Sequence, residues 1–267
     1  MRRPNLLTLL FAAVLAAALS ACAGAAADYP SEPSSAPSAT AAEPSATPTA
    51  VADELTAQTL FARLDAGLAA VQNYDLTMTM TGVAPVQLTG SADVADGRKN
   101  FAASASNGAE IRLVDGVLYV KPGELAGGKF VRIDPDDASN PLAAQFSAVR
   151  DDMLRSDYDG MDGAVTSIAT NGAHEAVNGV VATPYTIILD TSLLTPQAAA
   201  SLPADPAGEL PATIRCTFWI DDRDVPVRAV LDIAGSTTTT DISNVGSGTP
   251  VVAPPADQVT TKMPPLG

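Results

Sequence analysis

The chain has 267 residues, with 15 Lys and Arg against 30 Asp and Glu, so its formal net charge is −15 at pH 7. Too few cations remain to neutralise a phosphate backbone, which excludes nucleic-acid binding as its main activity. The sequence has a single His and no G-x-S-x-G, G-x-G-x-x-G or P-loop pattern. We therefore predict a protein that is not an enzyme and that holds no catalytic group, metal or cofactor.

The chain opens with two Arg and then an apolar run from Leu6 to Leu19 that is interrupted only by Thr8. This run is shorter than the roughly 20 residues that a membrane-spanning helix needs, which favours an export signal over residues 1–21. The sequence Leu-Ser-Ala-Cys22 directly after it is similar to the lipobox of bacterial lipoproteins. That resemblance implies that Cys22 is acylated and becomes the first mature residue. The alternative is an ordinary signal peptide followed by a chance Cys.

Residues 22–52 contain almost only Ala, Ser, Thr, Pro and Glu, without hydrophobic periodicity. Such a segment cannot offset the entropy of ordering, so we predict a disordered tether with a span of roughly 30 Å as a flexible coil. Residues 53–267 then form one domain, which is long enough to bury a core of its own.

Residues 53–71 carry apolar side chains at helical spacing, with Leu60, Leu64, Leu68 and Val71 on one side. This pattern predicts an amphipathic helix. Pro141 to Arg155 predicts a second helix on the same grounds, and a third helical segment is expected near residues 191–202.

Between and after these helices the apolar residues recur with a period of two, which indicates strands. Asp96-Gly97, Asn107-Gly108 and Asp115-Gly116 separate several of them, and such pairs favour tight hairpin turns. Strands are predicted at 74–81, 85–94, 99–106, 109–114, 117–121, 129–133, 164–170, 174–181, 183–190, 212–221, 225–233 and 236–243. The expected fold is α+β, with about ten antiparallel strands in a sheet that curls around helices inserted on one side.

Four stretches, in this order, resemble the actinobacterial LprG/LppX lipoproteins, a family that includes LppX, LprA, LprF and LprG. They are Tyr74 to Gly82, Asp115 to Val120 followed by Lys129-Phe-Val, Asn178 to Asp190, and Pro211 to Ile214 leading into Trp219-Ile220 and Ala229 to Asp232. Each motif is a short strand-and-turn pattern, and the resemblance covers nearly all of the predicted domain.

The resemblance implies a half-barrel with helices on its concave face, related to periplasmic lipoprotein carriers. It also implies an apolar cavity between sheet and helices that holds the acyl chains of long-chain lipids or glycolipids and carries or presents them. The implied protein is a monomer anchored by a diacylglyceryl group (palmitate is a typical chain) on the outer face of the cytoplasmic membrane. A membrane lipid exporter is its implied partner.

The apolar pattern of the sequence identifies the side chains that could line such a cavity. They are the inward-facing side chains of the strands and those that face the sheet from the helices. Apolar alternation fits a closed core equally well, so both interpretations stay open. The candidates are Leu64, Leu68, Leu76, Met78, Met80, Leu118, Val120, Phe146, Val149, Met153, Ile187, Leu189, Ile214, Phe218 and Ile220.

Two other functions compete with lipid binding: a non-binding envelope adapter, and an esterase built on His174. Cys216 lies in an alternating apolar pattern, so we expect it to be buried. The acidic loop 157–163 has Met161 and Asp162 where a calcium loop needs an acid and a Gly, so we expect no metal there. We expect 134–137 and 221–224 to be solvated turns with local caps, and the Pro-rich end to pack loosely.

Overall fold

A computed structural model describes residues 55–82, 85–95, 97–122, 128–137, 143–154, 158–202, 209–233 and 235–261. The predicted export signal, Cys22, the tether and the start of the first predicted helix lie outside these ranges. Within them, no helix has both the length and the apolar character that a membrane crossing requires.

One curved sheet organises the described chain, and it confirms the predicted α+β class with thirteen strands where we expect about ten. The strand order is β13-β6-β5-β4-β3-β2-β1-β12-β11-β10-β9-β7, and β8 pairs with β9. Every pairing is antiparallel except that of β13 with β6. The strands are β1 Asn73–Thr81, β2 Val86–Ala95, β3 Arg98–Ala105, β4 Ala109–Val114, β5 Val117–Pro122, β6 Phe130–Ile133, β7 Val165–Thr170, β8 Glu175–Val177, β9 Val180–Asp190, β10 Thr213–Ile220, β11 Pro226–Ile233, β12 Ser236–Ser243 and β13 Val259–Thr260.

Three α-helices accompany the sheet in the described ranges: α1 Leu60–Ala70, α2 Ala143–Leu154 and α3 Pro196–Ser201. Helix α1 begins later than predicted, because residues 57–59 form a turn in which the amide of Thr59 bonds to the carbonyl of Thr56. The third helical segment is divided into a 3-10 turn, Thr191–Leu193, and α3, which starts at Pro196 after the cap Thr195.

Helix α1 is fixed to the turn between β10 and β11 by two contacts. The guanidinium of Arg63 donates to both carboxylate oxygens of Asp224, at 2.9 and 2.7 Å. One turn further on, Gly67 lies so close to this loop that an added Cβ would sit 2.5 Å from the carbonyl oxygen of Asp224. The helix therefore approaches the sheet only because residue 67 has no side chain.

The same turn is capped locally as predicted, and Asp222 and Arg223 are exposed, but the prediction that Asp221 is solvated is wrong. The side chain of Asp221 is fully buried and accepts hydrogen bonds from the amides of Arg223 and Val225, at 2.9 and 2.8 Å. Its carboxylate also pairs with the Arg223 guanidinium at 2.7 Å. Asp221 thus satisfies the backbone of the turn from inside, as short acidic side chains do at turn starts.

The strand predicted over 174–181 is wrong, because the chain reverses within it. Asn178 and Gly179 both have positive φ, 51° and 82°, and connect β8 to β9 as a tight hairpin. These are the two residue types that most readily adopt left-handed backbone, so the Asn-Gly pair marks a turn here as well.

The chain after β12 also departs from expectation, since it is bound along the sheet and does not pack loosely. We call residues 244–261 the C-terminal strap. Its amides at Thr249 and Val251 donate to the carboxylates of Asp75 and Asp93, at 2.8 and 2.6 Å. The strap ends as β13, which adds a parallel strand beside β6. Sheet carboxylates therefore satisfy strap amides that would otherwise depend on water.

Asp75 predicts how this attachment responds to acid. Partial burial acts to raise its pKa, but hydrogen bonds from the Asn244 side chain and the Thr249 amide outweigh burial and hold the pKa below the ordinary 3.8. A lowered folded-state pKa contributes stability above pH 3.8 that is lost as pH falls through the folded value. We expect Asp75→Asn to flatten the acid limb of the stability curve, from about pH 5 downward, in urea unfolding. Exposed Asp162→Asn is the control, and an unchanged acid limb in Asp75→Asn contradicts the prediction.

Candidate functional site

One face of the sheet is apolar across almost its whole width. We call this the inner face, defined by Leu76, Met78, Ile187 and Phe218, and the opposite side the outer face. Cross-strand register aligns a single row on it, in the order Phe218, Ala229, Thr240, Met78, Leu88. All members except Thr240 are apolar, so the alternation seen in five separate strands converges on one surface.

Helices and loops cover this inner face in two places. Helix α1, α3 and residues 158–165 pack with β9, β10 and β11 into the larger buried cluster. Helix α2 contributes Phe146 to a second cluster with β3, β4, β5 and β6. Between the two clusters lies a small one, in which Met78 and Leu88 are buried and Met80 and Val86 are partly buried.

A cavity of about 100 Å³ lies between α1 and strands β9 to β12. It lies between helices and sheet, where the family resemblance implies a cavity. It is lined by Phe61, Leu68, Tyr158, Met161, Leu189, Leu202, Ile214, Cys216, Phe218, Pro226, Ala229, Leu231, Thr240 and Ile242.

Three aromatic rings line this cavity, one from α1, one from the loop before β7 and one from β10. The ring of Tyr158 stacks on Phe61 with centroids 5.0 Å apart and meets Phe218 edge-on at 6.2 Å. Phe61 and Phe218 are buried, whereas Tyr158 is partly exposed. A tyrosine with a buried ring and a polar tip suits the boundary between an apolar space and water. Tyr158 therefore fills the gap between helix and sheet at the end of the gap that is exposed to water.

The free volume is small for a ligand. A cavity that binds benzene measures about 150 Å³, and sites for drug-sized ligands measure about 300–1,000 Å³. Entry of a hydrocarbon chain therefore requires lining side chains to move. Partly buried Leu68 and Tyr158 have the most room to do so, and neither belongs to a strand.

Four of the candidate residues line the cavity: Leu68, Leu189, Ile214 and Phe218. Leu64, Ile187 and Ile220 are buried in the same cluster behind them. The others lie elsewhere on the inner face or facing it. Leu118, Val120, Phe146 and Val149 pack under α2, Met78 and Met80 belong to the small central cluster, and Leu76 is half-buried opposite Ile242 on β12. The side chain of Met153 lies outside the described residues.

The sequence does not single out several lining residues. Thr240 lies in a run of five consecutive Ser and Thr residues, so no apolar residue there shows which side chains face inward. Tyr158 stands in an acidic loop, and its role depends on how that loop folds back over the sheet. Ala229 is too small to signal a cavity wall. Cys216 is buried as expected, and the cavity also exposes its side chain.

Two polar contacts hold helices in place, one at α2 and one at the turn that leads to α3. The carboxylate of Asp136 accepts a hydrogen bond from Arg150 at 2.8 Å and raises the pKa of that guanidinium, tying α2 to the turn after β6. Hydrogen bonds from the side chain and amide of Ser192 lower the pKa of Asp190, which caps the 3-10 turn leading to α3. Both contacts position helices and present no reactive group to the cavity.

Catalytic and metal-binding chemistry finds little support in the described ranges. His174 is exposed, and its Nδ1 lies 2.7 Å from the Thr183 hydroxyl, in the β8–β9 region and not at the cavity. No group of three or more His, Cys, Asp or Glu side chains in these ranges is arranged to hold a metal ion.

Comparison with solved structures finds similar chains. LprF of Mycobacterium bovis has a TM-score of 0.50 at 16% identity, covering 74% of this chain and 96% of that one. LppX of Mycobacterium tuberculosis has a TM-score of 0.48 at 14% identity, covering 73% and 98%. A LolA superfamily protein of Nitrosomonas europaea gives 0.27 at 11%, covering 71% and 92%. No family model matches the sequence, and neither does any curated protein. At these identities the likeness to LprF shows the fold alone.

Tyr158 gives a direct test of the cavity. We expect Tyr158→Ala to join the volume of the lost ring to the existing space and to cost about 3 kcal/mol of stability. The variant should bind xenon or benzene in solution NMR or under gas pressure in a crystal, whereas Tyr158→Phe, which keeps the ring, should behave as the parent does. Equal gas binding in the two variants would show that the ring does not fill the cavity.

Proposed function

We propose that this protein is an envelope lipoprotein that binds acyl chains of a long-chain lipid or glycolipid between α1 and the inner face and carries or presents them. The cavity between helix and sheet is the observation that carries the proposal. The shared fold of the mycobacterial lipoprotein LprF agrees with it. In this proposal residues 1–21 are the export signal, 22–52 the acylated N-terminus and tether, and 53–267 the lipid-binding domain.

The physical basis of transfer is that the two apolar environments are nearly equivalent. Exposing an acyl chain to water costs about 0.8 kcal/mol per methylene, which makes free passage between membranes slow. A cavity lined by Leu, Ile, Phe and Met replaces bilayer contacts with similar ones, so exchange needs no chemical energy source. The polar headgroup stays outside. A membrane lipid exporter on the supplying side is the partner that this scheme implies, with the carrier acting as a monomer.

The small free volume favours one alternative. A non-binding adapter that works beside a membrane transporter would have the same fold and tether, with a core that never opens. The esterase alternative has less behind it, because the only imidazole of the chain is exposed and away from the cavity.

Lipid carriage predicts that the native protein retains lipid and that filling the cavity abolishes this. Ala229 lines the cavity and is only partly buried, so Ala229→Trp should place an indole in it and reduce co-purified lipid at least about tenfold. The matched control is Ala169→Trp, at an exposed position of β7. Mass spectrometry of organic extracts from protein purified from its native membrane measures the lipid. Lipid-free parent protein, or equal lipid in both variants, supports the adapter.

Membrane attachment through Cys22 is tested separately. Cys22→Ser removes the only thiol that can be acylated at this position. We expect the variant to appear in the soluble envelope fraction, while the parent partitions into Triton X-114 detergent and gains the mass of a diacylglyceryl group. Detergent partitioning of the variant would show that the protein is held by something other than this acylation.

A further inference from the structure

A second pocket lies on the outer face, on the opposite side of the sheet from the cavity. It is a shallow groove, open to solvent, with a volume of about 530 Å³. Strands β5 and β6 form one wall through Tyr119 and Arg132, which are direct cross-strand neighbours. Residues 254–261 of the C-terminal strap form the other wall. The two pockets share no lining residue.

The strap wall is fixed in place by contacts along its length. Arg112 donates to the carbonyl of Val252 at 3.1 Å, and Lys129 donates to the carbonyl of Asp257 at 3.0 Å. Val259 and Thr260 then pair with β6. The pocket is therefore formed by hydrogen-bonded chain on both sides, which is a preorganised arrangement.

The charge around this pocket differs from that of the whole chain, which is strongly acidic. The outer faces of β4 to β6 carry Arg112, Lys121 and Arg132, with Glu110 and Asp134 as the nearby carboxylates. Glu110 is shared by Lys121 and Arg112, at 2.6 and 3.4 Å. Lys129 and Asp257 meet at the strap wall and bring the count to four cations against three carboxylates, which leaves one surplus positive charge that favours anions.

Arg132 is the cation that lines the pocket itself. It meets Asp134 through one nitrogen at 3.2 Å, and 39% of its side chain remains exposed. A guanidinium has five N–H donors in a planar fork, so one such contact leaves donors for a second anion. Carboxylate and phosphate groups fit this fork best.

The other residues that line the pocket indicate what the uncharged part of a ligand would be. Tyr119 offers an aromatic ring, and Pro254, Ala256 and Val259 offer an apolar wall. Thr261 adds a hydroxyl group that can donate and accept hydrogen bonds. This combination suits a ring with a weakly polar face and hydroxyl groups at its edge. Together with Arg132, it describes a sugar-like ring that bears a carboxylate or phosphate.

We propose that the pocket between Tyr119, Arg132 and the C-terminal strap is a binding site for an anionic sugar, with Arg132 pairing the acidic group. The site does not depend on lipid in the inner cavity, because the sheet separates the two. The ligand is either a soluble or polymeric sugar acid or sugar phosphate, or the ring-bearing anionic headgroup of a lipid.

The test is isothermal titration of the full chain carrying Cys22→Ser with glucuronate, glucose 6-phosphate, glucose and inorganic phosphate. We expect the two anionic sugars to bind saturably with a Kd of about 1 mM or tighter, and glucose and phosphate to bind at least about tenfold more weakly. Arg132→Gln should weaken binding of the anionic sugars about tenfold or more. Arg215→Gln, an exposed position on the outer face of β10, should leave it unchanged.

A second variant and a vesicle arm complete the experiment. Tyr119→Leu, which keeps bulk but removes the aromatic ring and its hydroxyl, should also weaken sugar binding, with unfolding midpoints confirming that both variants are folded. Arg132-dependent binding to phosphatidylcholine vesicles containing phosphatidylinositol, without binding of the soluble sugars, would identify a lipid headgroup as the ligand. The proposal is overturned if no probe binds saturably, or if Arg132→Gln and Arg215→Gln bind alike.

Discussion

The close approach of α1 to the turn between β10 and β11 is the constraint on which the cavity depends. At Gly67 the helix backbone lies directly against the carbonyls of Arg223 and Asp224, and the Arg63–Asp224 pair fixes the angle of the helix one turn earlier. A fully exposed ion pair contributes little to stability, but this one is partly buried and bidentate, so it adds geometric specificity. Because the helix is attached at this point, its apolar side faces β9 to β12, and the cavity lies between the helix and these strands.

The inner face divides into parts that serve different purposes. Under α2, residues such as Leu113, Leu118 and Phe146 are completely buried and close one half of the sheet as an ordinary core. Around β1 and β12 the inner face carries Met78, Met80, Thr238 and Thr240 beside Leu76 and Ile242. The two Met side chains are flexible and the Thr side chains are small and weakly polar, so this central strip differs in character from the core under α2.

Strand alternation was sufficient to predict the sheet and the residues that share its inner face, because a period of two assigns every second side chain to one side. It could not distinguish a cavity wall from a filled core. Leu68 and Leu64 are both apolar residues at helical spacing, and only Leu68 lines the cavity.

The sequence pattern does not predict the roles of Tyr158 and Thr240, because these depend on a loop conformation and on strand register. The strap was missed because its attachment depends on single carboxylates, Asp75 and Asp93, on distant strands. The Asn178-Gly179 pair is a turn signal in the sequence, but the apolar residues around it predict one continuous strand.

The two ends of the sheet bear on how copies behave when they are crowded. At one end the two-residue parallel strand β13 covers β6. At the other, β7 has an irregular register between Val165 and Ser167, which bends the edge away from regular pairing. Long regular edges invite strand addition from a second molecule, and these are two of the devices that prevent it. A protein with these edges can therefore reach a high local concentration without one copy adding strands to the sheet of another.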